Sequence, residues 1–326
     1  MPFGAWPRVN PSGHLHPWDH IEVLRLDVRM VGFLRGGCSG GRFQLGRIGR
    51  TLELIGESFR VLMADKELIW FPLFSGIACL AVSVVMLSGG ALAFLPQIKA
   101  MGAAGAGRPA LSQGMWLGLL LFYLVNYFIV IFFNVALVSV AFNRIGGGQA
   151  NLNDGLQVAW QRKWTIFQWA LLDATVGILL RSLEERMGWL GRIVMDLIGI
   201  AWNLATYFIV PILAMEDLGP AAALSRSAEL FRETWGEELV GGFSFGLIFT
   251  LLALPGIFLP VMGAGKGRTT AIAGVVLALV YWLFLAIISS TVQGVFTAAL
   301  YRYATTRTVP PGFSAGSLLE AWQPRQ

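Results

Sequence analysis

The sequence has few charged residues. Asp, Glu, Lys and Arg together make up only 13% of its 326 residues, whereas a soluble domain usually carries about 25%. Hydrophobic residues make up 56%, and many of them fall in long unbroken runs. Such a chain has too little polar surface to remain folded in water. A soluble globular protein is therefore excluded, and a protein embedded in a lipid bilayer is indicated.

Cysteine and histidine are also scarce. The two cysteines, Cys38 and Cys79, fall in an N-terminal extension and in the first apolar run, so no disulfide framework is predicted. The histidines are His14, His16 and His20. Their spacing could hold a metal ion. Because the segment has no periodic apolar pattern, a disordered tail is the favoured interpretation, and no metal or other cofactor is predicted.

Recognised catalytic motifs are missing from the sequence. It contains neither His-Glu-x-x-His nor Gly-x-Ser-x-Gly. The glycine-rich stretch at 143–148 lacks the Lys-Ser/Thr of a phosphate-binding loop. We therefore predict a protein that is not an enzyme.

Apolar runs dominate what is present. Six of them are long enough to cross a bilayer, which takes about 20 residues. The third is the weakest, because Gln168 and Asp173 interrupt it. We predict an all-α fold, a polytopic bundle of six transmembrane helices. The predicted spans are Ile69–Leu95, Met115–Phe142, Thr165–Ser182, Trp189–Met215, Leu239–Met262 and Ala271–Tyr301.

Three domains are predicted around these spans. Residues 44–308 form the membrane domain and residues 309–326 a short cytoplasmic tail. Residues 1–43 form a disordered N-terminal extension, which could also reflect a mis-assigned start codon.

The basic residues predict the orientation of the bundle. Seventeen of the 24 Lys and Arg residues flank the spans on the side of the two termini, and seven lie on the other side. The positive-inside rule therefore places both termini in the cytoplasm. A basic N-terminal segment could also contact nucleic acid. Beside membrane spans it is better explained by anionic lipid, so the bilayer is the predicted partner and no nucleic acid is expected.

The segments on this basic side have helical periodicity. Apolar residues recur every three or four positions in 45–62, 151–163 and 220–236, with charged or polar residues between them. We predict three cytoplasmic interfacial amphipathic helices, each followed by a pair of spans. An alternative role for these helices is to bind a cytosolic or membrane protein partner.

Two carboxylates inside predicted spans are the candidate functional residues. Asp173 and Asp196 would be costly to insert unless each has a partner or a wet cavity, so we predict that both point into the bundle. They could form a pair that handles protons or cations. Alternatively, Arg192 neutralises Asp196 from four residues away, which leaves Asp173 as the better candidate. Other polar residues that could line a path, or simply join helices by hydrogen bonds, are Asn126, Asn134, Asn203 and Gln293.

These features support two functional hypotheses. The first is a non-enzymatic membrane protein with a scaffold, assembly or membrane-organising role. The alternative is a small transporter or channel that uses Asp173 and Asp196. An intramembrane enzyme is a third and weaker hypothesis.

Residues 64–76, 199–211 and 216–236 also carry a family resemblance. Their sequences, which include Trp-Asn-Leu-Ala-Thr-Tyr-Phe-Ile-Val-Pro and Glu-Asp-Leu-Gly-Pro, resemble an uncharacterised family of prokaryotic six-span integral membrane proteins. The resemblance covers roughly residues 44–308. It implies a multi-pass protein of the inner or plasma membrane with cytoplasmic termini, and it implies no activity. A more distant similarity is to the membrane domain that precedes some glycerophosphodiester phosphodiesterases.

Overall fold

The structure is a computed structural model. It describes residues 56, 58–60, 62–63, 65–103, 113–184, 187–235, 248–264 and 267–308. All of them belong to one compact unit, Arg47–Gln326. Within these ranges every regular element is helical and there is no strand, which confirms the predicted all-α class. The predicted extension 1–43 and tail 309–326 lie outside the described residues.

Short connections at 146–151, 206–208 and 216–219 join several of the helices. We number them α1 to α9 in chain order, and a single 3-10 turn, Lys66–Ile69, leads directly into the first. They are α1 Trp70–Ala103, α2 Gln113–Ile145, α3 Leu152–Gln161, α4 Lys163–Glu184, α5 Trp189–Ala205, α6 Ile209–Met215, α7 Pro220–Trp235, α8 Pro255–Ala264 and α9 Arg268–Thr306.

Five stretches are long and apolar enough to cross a membrane. They are Lys66–Gly90, Gln113–Ile145, Lys163–Glu184, Gly191–Met215 and Arg268–Thr306. These correspond to the first four predicted spans and the last, including the third span with its interrupting Asp173. The predicted span Leu239–Met262 lies partly outside the described residues, and its described part is a shorter apolar helix, Ile248–Val261. A count of six spans therefore stays a prediction.

The fourth span is broken near its end. Residues 206–208 form a turn between α5 and α6. Pro211 explains the break, because proline has no N–H to donate to the carbonyl four residues earlier and its ring collides with that carbonyl. The Phe208 N–H donates instead to the Ser227 hydroxyl of α7, at 3.0 Å. A side chain from another helix thus replaces a hydrogen bond that the break removes.

The short helices α3 and α7 each bury one side. The α3 helix begins with a capping box, in which the Asn151 side chain accepts from the Asp154 N–H and Asp154 accepts from the Asn151 N–H. It buries Gly155 and Ala159, while α7 buries Ala223, Ser227 and Leu230. The placement of these helices at a membrane surface remains a prediction. The first predicted amphipathic helix, 45–62, lies mostly outside the described residues.

Burial is concentrated at one end of the bundle. We call residues 131–145, 209–214 and 291–304 the packed end, since nearly all the large buried side chains of α2, α6 and α9 are there. The opposite end of the bundle is called the open end. It consists of residues 116–125 of α2, 272–287 of α9, and 177–200, which run from α4 into α5. Val135 is 0% exposed at the packed end, whereas Phe284 is 64% exposed at the open end.

Candidate polar site inside the bundle

Asp173 lies at the meeting point of three helices. The side chain of this α4 residue is half-buried. The Trp202 indole N–H of α5 donates to its Oδ1 at 2.6 Å, and the Tyr127 hydroxyl of α2 donates to its Oδ2. Asp173 therefore points into the bundle. Hydrogen bonds to an ionised acceptor are about twice as strong as neutral ones, and here they compensate for the removal of the carboxylate from water.

Aromatic rings hold the two donors in place. The Trp169 ring stacks on Trp202 with 6.3 Å between the centroids and an interplanar angle of 4°. The Tyr123 ring stacks on Tyr127 at 5.8 Å and 9°. Trp202 and Tyr127 are half-buried, and Asp173 provides the partner that their N–H and O–H groups need away from water. The result is a cross-link between α2, α4 and α5.

Asp196 is in a different environment. Its side chain is exposed, so the prediction that it points into the bundle is wrong. It lines a groove of about 850 Å³ between α4 and α5, which does not include Asp173 among the described lining residues. The helical geometry explains this separation. Trp202, which reaches Asp173, lies six residues after Asp196 and hence about 120° around α5 from it.

Arg192 lies in the same groove as Asp196. Among the ion pairs between described residues, none joins these two side chains. The groove also contains Arg181, Glu184 and Asn203, so it carries charges of both signs. The structure therefore gathers part of the predicted polar set into the groove and leaves Asp173 outside it.

The side-chain amides of Asn126, Asn134 and Gln293 do not form one cluster. Asn126 of α2 accepts a hydrogen bond from Ser83 of α1 at 3.4 Å and donates to the Phe122 carbonyl at 2.9 Å. It joins two helices, which is the usual role of an amide in a membrane bundle. Asn134 is half-buried and Gln293 is exposed.

A second polar cluster lies beside the break in the fourth span. The Tyr301 hydroxyl of α9 donates to Glu216 at 2.6 Å. Arg226 of α7 lies 3.6 Å from the same carboxylate and donates to Glu229 at 3.0 Å. Burial lowers the pKa of Arg226, but the hydrogen bond to Glu229 and the charge of Glu216 outweigh it, so this pKa is raised from its ordinary value. The cluster fastens α7 and α9 to the end of α6.

Arg144 forms a third cluster at the end of α2. Its guanidinium donates to Asp65, to Glu67 at 2.5 Å and to the Ala150 carbonyl at 2.7 Å. The side chain of Arg144 is only 14% exposed. It therefore ties the segment before α1 to the loop before α3. The sequence does not predict these contacts of Arg144, because Glu67 and Asp65 lie 77 and 79 positions away in the chain.

The described residues thus form a helical bundle of the membrane-protein class, in which Asp173, Arg144 and Glu216 join separate segments. The chain belongs to a family of unknown function, DUF6159, since residues 114–310, more than half of its length, match that family. No curated protein and no solved structure matches the chain significantly. The prediction of an uncharacterised family is thus confirmed. Its prokaryotic six-span character and the similarity to the phosphodiesterase membrane domain remain predictions.

Proposed function

We propose that this protein has a non-enzymatic role in organising or assembling components of a prokaryotic cell membrane, and that it binds a protein partner at its basic side. The proposal rests on the structural role of Asp173. The carboxylate that was the best candidate for chemistry accepts hydrogen bonds from Tyr127 and Trp202 and holds three helices together. Such an arrangement serves the rigidity of the bundle.

The transport alternative gains no support from the groove. A proton or cation path through both carboxylates would need a wet cavity that reaches Asp173 as well as Asp196. The groove between α4 and α5 contains Asp196 and, among described residues, not Asp173.

The proposed topology has six spans with both termini in the cytoplasm, which makes the packed end the cytoplasmic one. Exposed tryptophans support a bilayer between the two ends. Trp116 at the start of α2 is 62% exposed, and Trp164 at the start of α4 is 69% exposed. Tryptophan is enriched at both membrane–water interfaces. A reporter enzyme fused after Arg307 should be active only in the cytoplasm, and one inserted at Gly105 only outside. The reverse pattern would contradict the topology.

The surface for a partner is the exposed side of α7. Ser225, Glu229 and Arg232 are exposed there or lie at its edge, while the opposite side of the helix is buried against the bundle. This side is polar, so it suits an aqueous protein partner better than the acyl chains of lipid.

Site-specific cross-linking in native membranes tests this surface. A photoreactive amino acid in place of Ser225 should give one discrete protein adduct, and the additional change Arg232→Glu should remove it. The matched control is the same photoreactive residue at Phe284, 64% exposed at the open end, which should give lipid adducts only. A Ser225 adduct that survives the charge reversal, or lipid adducts at both positions, would refute a partner at this surface.

A further inference from the structure

The groove between α4 and α5 has open space at its floor. A Cβ atom added to Gly177 of α4 or to Gly199 of α5 would meet no atom within 4 Å. Both glycines line the groove, whose volume of about 850 Å³ falls within the range of about 300–1,000 Å³ that small-molecule sites occupy. The two helices thus leave a cavity of ligand size where their small residues face each other.

Charges of both signs lie at the mouth of this groove. Arg181 and Glu184 occupy the last turn of α4, and Arg192 and Asp196 occupy the first two turns of α5. The connection between the helices is short, so all four side chains lie at one end of the bundle. Asn203 continues the groove two turns further along α5, about 10 Å deeper.

The groove is flanked by apolar side chains that face outward. Ile178 of α4 is 48% exposed and Ile193 of α5 is 49% exposed, and each lies about 100° around its helix from the lining residue before it. Both helices are among those able to cross a membrane. In a bilayer these flanks contact acyl chains, so the groove opens sideways into lipid and its charged mouth lies near the headgroups. An occupant would therefore enter from the bilayer.

We propose that this groove binds a zwitterionic phospholipid whose headgroup contains a phosphate and a primary ammonium. Arginine presents a planar fork of N–H donors that matches phosphate, and Arg192 provides it at the mouth. Asp196 and Glu184 accept the N–H groups of an ammonium, which donates up to three hydrogen bonds. The acyl chains follow the open floor past Gly177 and Gly199. The choice among headgroups follows from the charges. A quaternary ammonium has no N–H to donate, and an anionic headgroup without an amine leaves both carboxylates facing a phosphate.

Native mass spectrometry of the purified full chain can test the site. The protein would be released from nanodiscs that contain equal amounts of phosphatidylethanolamine, phosphatidylcholine and phosphatidylglycerol. One retained phosphatidylethanolamine per chain is expected. Loss of one charge-assisted hydrogen-bonding group should weaken binding about tenfold, so Arg192→Gln and Asp196→Asn should each raise by that factor the phosphatidylethanolamine content that half-fills the site in a series of nanodiscs. Both residues are exposed, and the helical circular dichroism of each variant should equal that of the unchanged protein.

Arg268→Gln is the matched control, because Arg268 is an exposed arginine at the same end of the bundle, on α9 and outside the groove. It should leave retention unchanged. Equal retention of the three lipids would overturn the proposal. It would also be overturned if the Asp196→Asn variant retained as much phosphatidylethanolamine as the control and more phosphatidylglycerol. A dimer that Arg192→Gln dissociates without any change in bound lipid would overturn it as well, since a second copy of the chain would then occupy the groove. These outcomes are independent of the cross-linking at α7.

Discussion

The packed end and the open end of the bundle differ in how far their side chains are buried. The α9 helix shows the contrast within one element. Its side chains Val275, Leu279 and Phe284 are 45%, 57% and 64% exposed, whereas Val292, Val295 and Ala299 are at most 1% exposed. The open half is almost wholly apolar and packs mainly against the helix Ile248–Val261, where Tyr281 and Trp282 donate to backbone carbonyls. The packed half has fewer apolar residues and is buried more deeply.

Residues that can form hydrogen bonds are more frequent in the packed half, while small residues occur in both halves. Ala298 and Ala299 allow other helices to approach closely, and buried Thr291 satisfies its hydroxyl on the Ile287 carbonyl of its own helix. In lipid, helices gain nothing from the hydrophobic effect when they associate, so close packing and hydrogen bonds decide where they meet. Polar clusters around Arg144 and Glu216 adjoin this end.

The two aspartates repeat the contrast. Asp173 has donors on two neighbouring helices, whereas Asp196 is exposed in a groove. A carboxylate with fixed protein donors stabilises the bundle, while an exposed one is free to meet a ligand. The comparison between the two ends leads to three predictions about stability.

The largest effect is expected where an added methyl group has no room. A Cβ at position 155 would lie 2.6 Å from Val140, 2.7 Å from the Ala136 carbonyl oxygen and 2.9 Å from Phe71. We expect Gly155→Ala to lower the free energy of unfolding by about 1–3 kcal/mol, because one of these neighbours is backbone and cannot rotate away. Unfolding of helical structure in mixed micelles of mild detergent and SDS measures the change.

Gly177→Ala provides the control from the open end. No atom lies within 4 Å of the added Cβ, so the better helix propensity of alanine should stabilise α4 by up to about 1 kcal/mol. Equal destabilisation by the two changes would show that the open end is closed in the membrane.

An intermediate effect is expected at Asp173. Tyr127→Phe removes a hydroxyl that donates to this carboxylate and should lower the free energy of unfolding by about 1–2 kcal/mol. Tyr123→Phe is the matched control one turn away on α2, with a side chain that is 53% exposed, and it should change stability by less than about 0.5 kcal/mol. Chemical unfolding followed by tryptophan fluorescence measures both. If the two variants are equally stable, the hydrogen bond from Tyr127 to Asp173 does not stabilise the bundle.

The smallest effect is expected at the break in the fourth span. Ser227→Ala leaves the buried Phe208 N–H without its acceptor, which should cost about 1 kcal/mol. Ser225→Ala on the same helix removes an exposed hydroxyl that bonds only within α7 and should be neutral. Thermal unfolding of the detergent-solubilised protein compares the pair. Unchanged stability of Ser227→Ala would mean that water or another group satisfies the N–H.

The sequence by itself determined the class of the protein and the course of its helices. Apolar runs of about 20 residues can satisfy their backbone in a bilayer as helices, so the span that includes Asn126, and even the weaker one that includes Asp173, could be predicted from hydropathy. The break near Pro211 has an equally local cause, since proline lacks the N–H of a continuous helix.

Only the tertiary structure decided what the polar residues contact. Asp173 and Asp196 have the same side chain and similar apolar neighbours along the chain, yet Trp202 and Tyr127 reach the first alone. The partners of Arg144 and Glu216 are equally remote in sequence. Such contacts depend on the rotation of each helix about its axis and on which helices adjoin. Those are set by the close packing of side chains from several spans, a property that hydropathy and periodicity in one span do not contain.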